Sequence, residues 1–124
     1  MTIRQAIEED IDILAEIDFQ SEHPMDVQRN LTLEQNKKYL LKRFEEGKED
    51  FFIYQDKGYI TLKNDFPGWK HCELYWLAVK KSCQRQGIGK QLVQFIEKYA
   101  RELKFRKIFL YTGLVMVGAQ IFYQ

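Results

Sequence analysis

The chain has 124 residues and a mass of 14.9 kDa, a length that predicts a single domain spanning residues 1–124. Hydrophobic residues make up 45% of the sequence and charged residues 30%, a balance that excludes a disordered or low-complexity chain. The net charge is +1, and this near-neutral value argues against a whole-surface nucleic-acid binder, which would be strongly basic. Two cysteines and two histidines are too few for a disulfide framework or a structural zinc site, so we expect no metal.

The first half of the chain predicts a strand followed by two helices. Thr2–Ala6 has the composition of a strand, and Asp10 is placed to cap the helix that follows. Thr32, with Gln35 three residues later, predicts a capping box at the start of a second helix, which should end at Gly47. The positions that repeat at helical spacing in these two segments are Ile11, Leu14, Ala15, Asp18, Leu33, Leu40, Leu41 and Phe44.

The middle of the chain predicts three strands and a third helix. Phe51–Tyr54 and Tyr59–Leu62 flank Asp56–Gly58, a hairpin turn sequence, and Glu73–Val79 is a further strand. The third helix begins at Ile88, and one face of it carries Ile88, Leu92, Ile96, Tyr99 and Leu103.

The last part of the chain carries no charge from Ile108 to Gln124, a run of 17 residues. A membrane-spanning helix needs about 20 mostly apolar residues, so we expect no membrane partner. Instead, the run predicts a strand at Lys107–Tyr111 and a final helix from Val117 to Gln124. The acidic start of the chain lacks the apolar run of a signal peptide, which favours the cytoplasm. The order of elements predicts a mixed α/β domain built on a sheet.

The segment between Glu73–Val79 and the third helix has the composition of a phosphate-binding loop. It is basic and contains Gly87 and Gly89, and glycine lets the backbone approach a phosphate closely. The helix that follows presents unpaired N–H groups and the positive end of its dipole. A diphosphate fits these features, and an ordinary glycine turn among solvated lysines is the alternative. A Walker A loop and a dinucleotide fingerprint do not fit, since Gln91 and Leu92 occupy positions that those motifs require to be Ser or Thr and Gly.

Residues Gln84 to Gly89 read QRQGIG, a Q-x-x-G-x-G pattern preceded by a strand and followed by an amphipathic helix. This pattern resembles the acetyl-CoA-binding motif of the GNAT-type N-acetyltransferases. The opening IRQAIEEDIDIL is similar to the first strand and helix of that family, and Ala119–Tyr123 is similar to the A-x-x-F-Y segment of its last helix. The resemblance implies a mixed, mostly antiparallel sheet flanked by helices, in the α+β class. The sheet would splay between the strands at Glu73–Val79 and Lys107–Tyr111, and acetyl-CoA, the co-substrate, would lie in that cleft.

The resemblance also assigns roles to individual residues. Glu73 would act as a base through water, and Tyr123 would protonate the departing thiolate. A backbone N–H near Leu77 or Ala78 would stabilise the oxyanion. The pantetheine arm would pair with backbone groups of Leu77, Ala78 and Val79, and the residues that would hold the diphosphate are Gln84, Arg85, Gln86, Gly87, Ile88, Gly89 and Lys90.

Alternatives remain open for several of these residues. Glu73 is also interpretable as an ordinary strand-end carboxylate, and Tyr123 as a packed aromatic residue. Cys83 lacks a motif that pairs it with a histidine, so it is not expected to be a nucleophile. His23 and His71 are expected in loops, whereas Trp69, Tyr75 and Trp76 are expected in the core or in a pocket wall.

The end of the sequence departs from the family pattern. Family members usually continue after the Phe-Tyr pair into further strands, and Met116 stands where the family often has Asn. A homodimer is one way in which the open sheet edge would be covered. Two functions are therefore expected: N-acetylation of a primary amine on a small molecule or a protein, or a non-catalytic module that binds acyl-CoA or a partner. Glu22 and Asp26 are weak indications of a cationic acceptor.

Overall fold

A computed structural model describes residues 2–21, 31–63, 71–103, 107–112 and 115–122. These residues form a six-stranded sheet, with its strands in sequence order, and helices that pack on both of its faces. The strands are β1 Ile3–Gln5, β2 Glu49–Tyr54, β3 Gly58–Lys63, β4 His71–Val79, β5 Lys107–Thr112 and β6 Val115–Phe122. The helices are α1 Ile11–Ser21, α2 Leu33–Glu46 and α3 Ile88–Glu102, with short 3-10 helices at Glu8–Asp10 and Lys81–Cys83.

Neighbouring strands of the sheet are antiparallel except for one pair. β4 and β5 are parallel, because α3 crosses between them. The expected mixed, mostly antiparallel sheet is confirmed.

The start and end of α2 follow the sequence prediction. The Thr32 hydroxyl accepts a hydrogen bond from the Gln35 backbone N–H at 3.2 Å, and the Gln35 side chain accepts one from the Thr32 N–H at 2.9 Å. Gly47 ends the helix with φ 70°, in the left-handed region that favours glycine.

One face of the sheet packs against α3. Ile88, Leu92, Ile96 and Ala100 of the helix are buried, one turn apart, against apolar side chains of the strands. The predicted apolar face is therefore confirmed at its first three positions, and Tyr99 is half-buried. Leu103, which we also expected on this face, is 49% exposed, because the helix ends at Glu102. The strand residues of this core are Ile3, Phe52, Ile60, Leu62 and Leu74.

The opposite face packs against α1 and α2. Leu14, Ala15 and Ile17 of α1 and Leu40 of α2 are buried there. The strands supply Phe51, Ile53, Tyr59, Trp76 and Ala78. Because side chains alternate along a strand, the neighbours Phe51 and Phe52 lie in the two different cores.

Asp10 does not cap α1. Its carboxylate accepts two hydrogen bonds from the Arg4 guanidinium, both at 2.7 Å, and a third from the Ile7 backbone N–H at 2.8 Å. The Arg4 side chain lowers the pKa of Asp10. The Ile7 N–H and the Arg4 guanidinium already occupy the carboxylate oxygens of Asp10. Asp10 therefore joins β1 to the 3-10 turn and accepts no hydrogen bond from the first turn of α1.

The predicted last helix is wrong. Residues Val115–Phe122 form β6, antiparallel to β5 from Thr112↔Val115 to Lys107↔Phe122. Pairing with β5 provides backbone hydrogen-bond partners along this valine-rich segment, which favours a strand. His71, expected in a loop, is the first residue of β4, because the strand begins before Glu73.

Candidate functional site

β4 has partners on both sides along only half of its length. Its pairing with β5 runs from His71↔Lys107 to Leu74↔Leu110, whereas its pairing with β3 continues to Gly58↔Val79. Within the described strands, residues 75–79 therefore have β3 on one edge and no β5 partner on the other. This is the predicted splay, and backbone groups along that edge are available to an extended ligand.

A β-bulge lies where β4 separates from β5. Thr61 of β3 pairs with Trp76, but the next residue, Leu62, pairs with Leu74. Tyr75 is thus the extra residue, and an extra residue bends a strand and increases its twist. The bulge and the end of the β5 pairing coincide, so the bulge is positioned to turn the second half of β4 away from β5.

The loop after β4 leads into a helix start with unpaired donors. Gly87, the N-cap of α3, has φ 80°, and Arg85 has φ 65°. The first hydrogen bond of the helix runs from the Gln91 N–H to the Gly87 carbonyl at 3.0 Å. The N–H groups of residues 88–90 precede that bond, so they have no carbonyl partner within the helix. A helix start of this kind favours an anion, and the sequence analysis expected a diphosphate at this place.

Two hydrogen bonds tie this loop to the strands. The Gln84 side-chain amide donates to the Val79 carbonyl at 3.0 Å, and the Lys80 N–H donates to the Lys57 carbonyl at 2.8 Å. Gln84, predicted among the diphosphate-binding residues, therefore also fixes the loop against the end of β4.

Glycines 58 and 89 differ in the space beside them. A Cβ at Gly58 would lie 3.0 Å from the Ala78 carbonyl oxygen and 3.3 Å from an Ile88 methyl carbon. The hairpin therefore needs glycine to approach the end of β4 and the start of α3 so closely. A Cβ at Gly89 would make ordinary contacts, at 3.9 Å from Val79 and 4.0 Å from Leu77. Position 89 thus lies against the Leu77 and Val79 side chains of β4 and tolerates a Cβ there.

The electrostatics at this end of the sheet favour an anion. The first turn of α3 contains no acidic residue, and Arg85 and Lys90 are exposed beside it. The Lys80 ammonium lies 3.9 Å from the Asp56 carboxylate. Positive side chains and a positive helix end therefore surround the unpaired N–H groups.

An open cavity of about 560 Å³ lies beside this loop. Phe19 and Gln20, in the last turn of α1, form one wall, and Lys81 and Ser82 form the other. Phe19 is 58% exposed. The cavity has the size of small-molecule sites in proteins.

The described structure brings together the predicted cofactor-binding residues but leaves the two catalytic candidates largely undescribed. Leu77–Val79 form the unpaired β4 edge, and the predicted loop leads from the end of that strand into α3. The Glu73 backbone pairs with Lys63 of β3 and Phe109 of β5, just before the bulge. Tyr123 lies outside the described residues, as do the acceptor candidates Glu22 and Asp26, together with His23 and Trp69.

A buried polar cluster was missed as a site by the sequence analysis. The Asp18 carboxylate, in a residue that is 1% exposed, accepts hydrogen bonds from the Tyr59 hydroxyl at 2.7 and 2.8 Å and from the Trp76 indole N–H at 2.9 Å. The Asn36 amide donates to the same carboxylate at 3.2 Å. Burial raises the pKa of Asp18, although these donors oppose the shift. The signal in the sequence that could have indicated this cluster is Asp18 itself, an aspartate on the apolar face of α1.

A second buried polar pair lies on the same face of the sheet. The Arg43 guanidinium makes two hydrogen bonds to the Glu49 carboxylate, at 2.6 and 2.8 Å. Burial lowers the pKa of Arg43, but the hydrogen bond to Glu49 and nearby charges raise it by more than burial lowers it. The pKa of Arg43 is therefore raised overall. The guanidinium also lies 5.3–5.5 Å from ring centroids, those of Tyr39, Phe51, Tyr75 and Trp76.

Two features are absent from the described residues. Their helices include none with the length and apolar character needed to cross a membrane. Within the same residues, no group of three or more His, Cys, Asp or Glu side chains has the arrangement of a metal site.

Comparison with known proteins gives consistent matches. The chain is 33% identical over 66 residues to N-acetyltransferase 8 of Rattus norvegicus, and the match covers 53% of this chain and 30% of that protein. The PaiA N-acetyltransferase of Thermoplasma acidophilum, solved with coenzyme A, is 22% identical with a TM-score of 0.67, over 93% of this chain and 80% of that one. A GNAT family acetyltransferase of Brucella melitensis, solved with acetyl-CoA, is 12% identical with a TM-score of 0.69, over 98% and 87% of the two chains.

With sequence identities of 22% and 12%, the two solved structures show similarity of fold alone. The rat protein is more than three times as long as the segment that it shares with this chain. The sequence model of the acetyltransferase (GNAT) family matches residues 9–124, which include every element from α1 to β6. The chain belongs to the GNAT acetyltransferase family.

Proposed function

We propose that the chain is an acetyl-CoA-dependent N-acetyltransferase that acts on a primary amine of a small molecule or a protein. The observation that carries the proposal is the unpaired edge of β4 leading directly into the N–H groups at the start of α3. An extended pantetheine arm needs such an edge, and a diphosphate needs such a helix end. Relatives solved with coenzyme A or acetyl-CoA support the same ligand.

The reaction is a direct transfer. The amine nitrogen attacks the thioester carbonyl carbon, the C–N bond forms, the C–S bond breaks, and the amine loses a proton while the thiolate gains one. A free alkyl amine has a pKa of about 10, so the acceptor must first be deprotonated. We propose Glu73 as the base acting through water, Tyr123 as the acid, and a backbone N–H of Leu77 or Ala78 as the oxyanion donor.

Under this proposal, the acceptor must reach a thioester that lies at the splayed edge of β4. The cavity between the last turn of α1 and the Lys81–Cys83 helix lies next to the same loop. We propose the cytoplasm as the location, a proposal that rests on the sequence alone.

The test is acetyl-CoA binding by calorimetry to the wild-type chain and to Gly89→Glu. A Cβ at position 89 makes only ordinary contacts, so we expect the variant to fold, and its carboxylate would meet the negative diphosphate at the helix end. We expect affinity to fall more than about tenfold, equivalent to more than about 1.4 kcal/mol.

Gln94→Glu is the matched control, because it adds the same charge at an exposed position of the same helix. It should bind as the wild type does. Equal binding by Gly89→Glu would remove the phosphate-loop assignment. Saturable binding without acetyl transfer to any of a panel of primary amines would instead identify a non-catalytic acyl-CoA-binding module.

A further inference from the structure

We propose that Asp18 is a positioning residue, which sets the pantetheine-binding edge of β4 by holding the Trp76 indole. This inference rests on the proposed function, because it concerns how the chain holds acetyl-CoA. Asp18 itself is buried and is not assigned a contact with the ligand.

The second half of β4 needs such a holder. Beyond the bulge at Tyr75, the strand is paired on one edge only, so β5 does not fix its position. Its position therefore depends on pairing with β3 along one edge and on the side chains of its two faces. Leu77 and Val79 pack with the α3 core, whereas Trp76 and Ala78 pack with the α1 and α2 core.

The Trp76 side chain connects this segment of β4 directly to α1. Its indole N–H donates to the Asp18 carboxylate at 2.9 Å. Trp76 is 6% exposed, and it directly precedes Leu77, whose backbone is assigned to the pantetheine arm. A shift of the indole would therefore move the binding edge itself.

Asp18 is held from several directions, so it can act as a fixed reference point. Tyr59 of β3 and Asn36 of α2 also donate to its carboxylate. The Ser21 hydroxyl donates to the Asp18 backbone carbonyl at 2.8 Å. The Arg43 charge on α2 acts on the same carboxylate. Sheet and helices therefore converge on one side chain.

The position of Asp18 in the sequence adds a second consequence. Phe19 and Gln20, the next two residues, form the α1 wall of the cavity beside the phosphate loop. The same side chain thus links the cavity wall to the β4 edge. Loss of the link should affect the pantetheine arm more than the nucleotide, because the diphosphate is assigned to α3 and its loop.

The experiment measures binding of two probes, acetyl-CoA and 3′-phospho-ADP, its nucleotide half. Asp18→Asn keeps the side-chain shape but removes the charge, and Trp76→Phe removes the donor on β4. Both variants remove the hydrogen bond that holds the indole, so we expect acetyl-CoA affinity to fall about tenfold or more in each. Affinity for 3′-phospho-ADP should stay within about twofold of the wild type.

Tyr59→Phe is the matched control. It removes a hydrogen bond to the same carboxylate, but from β3 and not from the binding edge. We expect it to lower stability while acetyl-CoA affinity changes less than about twofold. Hydrogen exchange of the ligand-free protein gives a second readout: the amides of residues 77–79 should exchange faster in Asp18→Asn than in Tyr59→Phe.

The outcomes separate the two proposals. If the wild type does not bind acetyl-CoA, the proposed function fails, and this inference fails with it. If the wild type binds and Asp18→Asn binds equally well, only the inference fails. Equal losses for both probes, or equal losses in Tyr59→Phe and Trp76→Phe, would overturn it by showing general damage to the fold. If the smaller ring prevents Trp76→Phe from folding, Asp18→Asn decides.

Discussion

The two faces of the sheet are filled by different chemistry. Among the residues whose side chains the structure describes, those buried between the sheet and α3 are apolar. The core between the sheet and α1 and α2 also buries Asp18, Arg43, Glu49 and Thr61. An apolar core depends on volume and tolerates repacking, whereas buried polar groups require each partner at a defined distance. The face with the polar groups is thus the one whose geometry is most sharply fixed.

The largest expected effect comes from breaking the Arg43–Glu49 ion pair on the polar face of the sheet. Arg43→Met leaves the Glu49 carboxylate buried without its guanidinium, and we expect about 3–5 kcal/mol lower stability in urea unfolding. The double variant Arg43→Met, Glu49→Leu removes both charges and should recover most of that loss. A double variant as unstable as the single one would mean that the aromatic contacts of Arg43, and not charge pairing, carry its contribution.

A smaller effect is expected in how stability depends on pH, because Asp10 and Asp18 have pKa values shifted in opposite directions. Asp10 has a lowered pKa beside Arg4, so its contribution is present above its ordinary pKa of about 3.9 and is lost as the pH falls through the lowered value. Burial raises the pKa of Asp18, so its contribution is present at the acid end and is lost as the pH rises through the raised value. Urea unfolding of the wild type, Asp10→Asn and Asp18→Asn across the acid range measures both.

The two differences in free energy of unfolding should move in opposite directions. The free energy of unfolding of the wild type minus that of Asp10→Asn should increase with pH. The same difference for Asp18→Asn should decrease with pH. Parallel changes would contradict the burial of Asp18 as the dominant cause of its shift.

The smallest effect has the opposite sign. The Thr61 hydroxyl is fully buried and has no hydrogen-bond partner among the described residues. Thr61→Val keeps the shape and removes an unsatisfied group, so we expect about 1 kcal/mol higher stability. Equal or lower thermal stability would show that the hydroxyl has a partner, such as a bound water.

The sequence predicted local features of the molecule better than contacts between distant residues. Apolar spacing in α3, the capping box at Thr32 and the hairpin turn are local signals, and the structure confirms them. The side-chain partners of Asp18, which are Asn36, Tyr59 and Trp76, lie 18, 41 and 58 residues away in the sequence, so no local pattern connects them.

Tertiary pairing also decided the end of the chain. The A-x-x-F-Y likeness to a helix covers five residues, whereas β5 pairs with both ends of β6, at Val115 and at Ala119–Phe122. Within the candidate site, the loop and the strand edge followed from the QRQGIG pattern and the family resemblance. The bulge at Tyr75 did not, because it appears only as a shift in pairing with β3.

The unpaired edge of β4 has a consequence for handling the protein. An exposed strand edge is a template for pairing with another chain, and the described strands leave this one uncovered at residues 75–79. A bound pantetheine arm would occupy the same backbone groups. Ligand would then raise the melting temperature by mass action and would also slow aggregation, since the bound chain offers no edge for strand addition.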